Sequence, residues 1–112
     1  MTLPGNPGNK PTFSLAFLSR LTHDGVDHVS SADFAYLDYL KTFSKSDYRN
    51  NTVLILFSDH GPRFGSYVHT PIGRLEERLP FISIVFPRWF HEKYPLLIEN
   101  MKLNSKRMTT PY

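Results

Sequence analysis

The sequence predicts an α/β fold, a mostly parallel sheet of about three strands flanked by helices. Two apolar runs, Val53–Phe57 and FISIVF at Phe81–Phe86, lack polar alternation, as strands covered on both faces do. A third run, TFSLAFL at Thr12–Leu18, is separated from Val53–Phe57 by a stretch of helical period. Strand, helix, strand over this length makes one crossover unit, which sets its strands parallel and connects them right-handedly.

Each element follows from local chemistry. Residues 1–11 hold three Pro, two Gly and two Asn, a composition that resists helix and strand and predicts a disordered leader. Thr12–Leu18 is the expected first strand, and it delivers His23 and Asp24 at its carboxyl end. Ser30–Phe43 carries Phe34, Leu37 and Leu40 at helical spacing, widened by Tyr36 and Phe43, while Ser30 and Asp33 resemble a capping box. After the polar SKSDYRNN link, Thr52–Ser58 is the second strand. Gly61, Pro62, Gly65, Pro71 and Gly73 predict a loop, with a short helical turn at Gly73–Arg78. Phe81–Phe86, set between Pro80 and Pro87, is the third strand. Arg88–Tyr94 and Leu96–Met101 are helical, and Pro95 limits continuity between them. A sheet this thin has open hydrophobic edges, which intact domains cover, so further sequence is expected on at least one side.

Composition removes several classes of function. With 112 residues, 40% hydrophobic and 21% charged, the chain is one small domain or a piece of one. The net charge is +3 and the pI about 9.3, but the cations are scattered from Lys10 to Arg107 among ten acidic residues, so no nucleic-acid partner is expected. Cysteine is absent, which excludes disulfides and thiolate sites and leaves any metal to oxygen and imidazole. No run reaches the roughly 18 apolar residues of a membrane span, and the start lacks the apolar core of a signal peptide.

The candidate chemistry gathers where the strands end. Asp59 and His60, in SDHG, follow the second strand directly, and a carboxylate beside an imidazole offers two ligands to one divalent cation. Gly61 would let the backbone turn there. The structural alternative is a turn in which Asp59 caps backbone and His60 is merely exposed. In THDGVDH, Thr22–His28, two His and two Asp fall within seven residues. Parallel strands about 5 Å apart would bring His23 and Asp24 beside Asp59 and His60. Arg63 and Arg78 match anionic oxygens, or else pair with Glu76 and Glu77 on a solvated face. His69 and His91 are expected at the surface, and Trp89, Phe90 and Tyr94 in packing. No Ser, Thr or Asp stands beside a base as a nucleophile; Ser58 still belongs to the strand.

NTVLILFSDHGPRFG followed by GRLEERLPFISIVFP, KYP and MTTPY resembles the DUF229 family, within the sulfatase-like part of the alkaline phosphatase superfamily. The resemblance runs from about Pro11 to Tyr112 and makes 12–112 the C-terminal part of a sulfatase-like α/β hydrolase domain. It implies a sandwich whose sheet edge holds a divalent metal ion (Ca, Mn or Zn) for hydrolysis of sulfate or phosphate esters. Asp59 and His60 match its metal ligands, and His23 matches an upstream residue that contacts metal or the substrate's anionic group. Arg63 is the expected substrate-binding guanidinium. The family's nucleophile lies in an upstream segment that nothing here matches, so this chain alone is expected to be weakly active or inactive and to need the remainder of the parent domain. A degenerate, non-catalytic module is the alternative. The resemblance also implies a secreted or membrane-attached parent.

Overall fold

A computed structural model of the chain describes residues 11–19 and 28–107. The expected leader falls almost wholly outside them, as do His23 and Asp24. In order, the elements are α1 (His28–Ser31), α2 (Asp33–Lys45), a 3-10 turn at Asp47–Asn50, β1 (Leu54–Phe57), a second 3-10 turn at Ser66–His69, α3 (Pro71–Arg78), β2 (Ile82–Val85), α4 (Arg88–Lys93) and α5 (Pro95–Asn104).

The mostly parallel sheet of about three strands is not what forms. The described residues hold a two-stranded antiparallel sheet, with Leu54 opposite Val85 and Phe57 opposite Ile82. The reason lies in how the connection closes. The Ser58 amide donates to Phe81 O at 2.9 Å, and the Phe81 amide donates to Ser58 Oγ at 2.8 Å, which ties the two ends of the intervening loop together. Everything between folds back as one excursion from a long hairpin. The expected first strand is also absent: residues 11–19 have no regular secondary structure, and Phe13 is 90% exposed. Without that partner the crossover unit cannot exist. Nor is β1 covered on both faces, since Ile55 and Phe57 are 50% and 51% exposed.

The helices follow the sequence more closely. The predicted Ser30–Phe43 helix becomes α1 and α2, broken at Ala32, which is the N-cap of α2 and makes no side-chain cap bond. Ser30 thus lies within α1 and not at the N-cap of α2. The turn predicted at Gly73–Arg78 extends to Pro71, and α3 starts on a capped end: Thr70 Oγ1 accepts from the Gly73 amide at 3.0 Å, with Pro71 at the first helical position. Pro95 opens α5 where continuity was expected to fail.

Among the described residues the buried positions are few: Phe43, Gly73 and Ile98 from the helices, Ala32 at the break before α2, and Pro87 after β2. An aromatic stack carries much of the remaining packing. Phe86 lies 4.5 Å from Phe90, Phe90 lies 4.8 Å from Tyr94, and Trp89 meets Phe90 edge-on at 5.7 Å, all within the range of favourable ring pairs. Trp89 Nε1 also donates to Asn50 O at 2.9 Å, fixing α4 to the turn before β1. Trp89, Phe90 and Tyr94 thus serve packing, as their spacing suggested. No helix among the described residues is long and apolar enough to cross a membrane.

Candidate functional site at the end of β1

Asp59 and His60 leave β1 one residue after its last hydrogen-bonded position and enter a loop that α3 clamps. The Gly61 amide donates to Glu77 O at 3.0 Å, and Arg63 Nε stands 4.0 Å from Glu77 Oε1. Gly61 touches α3 so closely that a Cβ there would lie 1.9 Å from Glu76 O. The loop is therefore positioned by backbone contact with the last turn of a capped helix.

Within the loop the two candidate ligands face each other. Asp59 Oδ1 accepts from the His60 amide at 3.0 Å, and Oδ2 lies 3.6 Å from His60 Nε2. The capping role foreseen as the alternative for Asp59 is thus present, but it occupies one carboxylate oxygen only. His60 Nδ1 donates to Gly61 O at 2.6 Å, which puts the ring proton on Nδ1 and leaves Nε2 with a lone pair when the ring is neutral. The same hydrogen bond fixes the ring's orientation, as metal-ligating histidines require. Asp59 is 58% exposed and His60 34%, so both side chains reach solvent.

Two bonds of about 2.1 Å each span the separation between Oδ2 and Nε2, so carboxylate and imidazole here fit one cation as a pair. A third ligand is not at hand: among the described residues no group of three or more His, Cys, Asp or Glu could hold a metal. His23 lies outside the described residues, and the parallel pairing expected to bring it and Asp24 to this edge does not form. Arg63 is beside the pair in sequence and engages Glu77 at the outer limit of an ion pair. Ser58 has a structural task, since its hydroxyl accepts the Phe81 amide.

Three features escaped the sequence. Glu77 anchors the loop through its carbonyl as well as through the pairing with Arg63 that was foreseen as the alternative. Tyr67 Oη is buried without a hydrogen-bond partner, and burial, with Glu76 nearby, raises its pKa above the usual value. Arg78, expected to face an anionic substrate or to pair with Glu76 or Glu77, makes no ion pair with either glutamate and lines an open hollow with His69, Pro71, Arg74 and Leu75. The four-residue spacing of Arg74 and Arg78 in GRLEER was the available signal for that last arrangement.

These elements define an α/β protein with mostly helical content and a small antiparallel sheet that ends in a carboxylate–imidazole pair. The profile of a family described as "Protein of unknown function (DUF229)" matches residues 6–112, and the chain belongs to that family. Neither the curated proteins nor the solved structures gave a match.

Proposed function

We propose that the chain forms part of a metal-dependent hydrolase-like domain acting on sulfate or phosphate esters, with Asp59 and His60 as ligands of a divalent cation. The observation that carries this is the His60 ring: its Nδ1–H is committed to Gly61 O while its Nε2 faces Asp59 Oδ2. That is how an imidazole is prepared to donate a lone pair. A cation bound there would polarise an ester oxygen as a Lewis acid. Carboxylate and imidazole suit Mn or Zn, and Ca if further oxygens join.

The remaining roles fall to this chain's own side chains and to its surroundings. Arg63, whose Nε stands 4.0 Å from Glu77 Oε1, would offer its guanidinium to an anionic oxygen. His23 would supply the second contact to metal or substrate on the strength of the resemblance alone, not of the strand pairing. The nucleophile comes from the remainder of the parent domain, because Ser58 is held by backbone. The half-covered sheet favours such a remainder, with Ile55, Phe57 and Ile82 at least half exposed.

Thermal unfolding with Mn, Zn or Ca tests the metal site. One of these cations is expected to raise the Tm of the chain and to leave Asp59→Ala unmoved; no stabilisation by any of the three would remove the basis of the proposal.

One observation favours a second reading, a degenerate, non-catalytic binding or structural module. Ser58, the hydroxyl nearest the pair in sequence, is engaged by the Phe81 amide. Assays of aryl sulfate and aryl phosphate turnover separate the two once the parent domain is complete. Turnover abolished by Asp59→Ala supports the hydrolase, whereas metal binding without turnover supports the module. The chain alone is expected to be weakly active or inactive.

A further inference from the structure

We infer that His69, Arg74 and Arg78 form a second site, separate from Asp59 and His60, for a tetrahedral oxyanion group such as phosphate or sulfate. The three cationic or protonatable side chains line one open hollow of about 530 Å³, together with Pro71 and Leu75. Among the described residues no acidic side chain lines it.

Charge on α3 is sorted by face. At about 100° per residue, Arg74, Arg78, Pro71 and Leu75 share one arc of the helix, and Gly73, Glu76 and Glu77 share the opposite one. The acids are used elsewhere: Glu77 meets Arg63, and Glu76 lies close enough to Tyr67 to raise its pKa. Among the described residues neither Arg74 nor Arg78 has an ion-pair partner, although two glutamates stand on the same helix.

An unpaired arginine pair at this spacing is locally unfavourable, because like charges four apart on a helix repel. Arg78 has a separate reason to be where it is, in the last turn beside the helix's free carbonyls. Arg74, at the fourth helical position, is one turn away from those carbonyls and gains nothing from them. An oxyanion between the two guanidinium groups would offset their repulsion, and planar guanidinium forks match the oxygens of phosphate or sulfate. His69, just before the capping Thr70, adds an imidazole donor from the third side. Pro71 and Leu75 leave apolar surface for the organic part of a larger ligand.

The test is thermal unfolding of the full chain in metal-free buffer with sodium phosphate or sodium sulfate, compared with chloride and acetate at equal ionic strength. Phosphate or sulfate should raise Tm saturably, and whichever acts at lower concentration identifies the preferred group. Asp59→Ala should keep the rise and the R74Q/R78Q variant should lose it. If that double variant lacks the wild-type circular dichroism, calorimetric titration of Arg78→Gln decides, with at least about tenfold weaker binding expected of a lost charge-assisted pair. A linear response shared by wild type and variant, an equal response to acetate, or no response would each overturn the assignment. Loss of the response in Asp59→Ala would show that the site is not separate. The Asp59–His60 proposal is decided by cations alone, so either can fail without the other.

Discussion

Gly61 shows how a residue can be identified correctly and explained wrongly from sequence. Its place after Asp59 suggested a turn needing unusual backbone freedom, yet the described glycine with positive φ is Gly65. What Gly61 supplies is the absence of a side chain against α3, where a Cβ would fall 1.9 Å from Glu76 O and 2.9 Å from Glu77 Cα. Backbone cannot rotate away, so Gly61→Ala should destabilise by about 2 kcal/mol, as overpacking does, measured by urea unfolding. It should also weaken cation binding by displacing Asp59 and His60. Ser58→Ala removes the acceptor for the Phe81 amide and should cost about 1 kcal/mol by the same measurement. Tyr67 gives a pH signature. Its folded pKa is raised, chiefly by burial and then by Glu76, so its contribution is complete below the unfolded value of 10.0 and is lost as pH climbs through the folded one. Stability should therefore fall above about pH 10, and Tyr67→Phe should flatten that fall without lowering Tm at neutral pH. Asp59, His60 and Arg63 could be singled out as candidates at this scale because residue type and adjacency are visible in the sequence. The tautomer of His60 was not, since it depends on a carbonyl whose direction only the folded loop sets.

At the scale of elements, α3 is the piece on which the site depends. Its first turn is capped by Thr70 Oγ1 on the Gly73 amide, and the same hydroxyl donates to Tyr67 O at 2.6 Å. Thr70→Ala should lower stability by about 1 kcal/mol, the usual cost of a lost N-cap, and calorimetric unfolding would measure it. The loop after β1 should loosen in parallel, visible as faster hydrogen exchange at the Gly61 amide, because that amide bonds to Glu77 O at the far end of the helix. Helices were readable in the sequence because their apolar period is a local signal, whereas the start of α3 at Pro71 behind the capping Thr70 was read as loop. Strand positions were readable for the same reason, and Leu54–Phe57 and Ile82–Val85 fall inside the predicted runs. Strand direction was not, because pairing is decided between distant residues. Here the Ser58–Phe81 clasp closes an antiparallel pair, and Thr12–Leu18 contributes no strand.

At the scale of the whole molecule, the described residues leave apolar surface uncovered. One face of the sheet carries part of it, with Val53, Ile55, Phe57 and Ile82 all substantially exposed. The purified chain should accordingly bind the dye ANS at neutral pH and unfold with low cooperativity, and a sharp, dye-negative transition would contradict that expectation. The measurement closest to the central claim is the response of the histidine ring signals in NMR to substoichiometric Mn²⁺. The His60 ring protons should broaden before those of His69 and His91, with the ring as the Nδ1–H tautomer, and the effect should vanish in Asp59→Ala. Broadening spread equally over all five histidines, or His60 untouched by the cation, would contradict a metal pair at the end of β1.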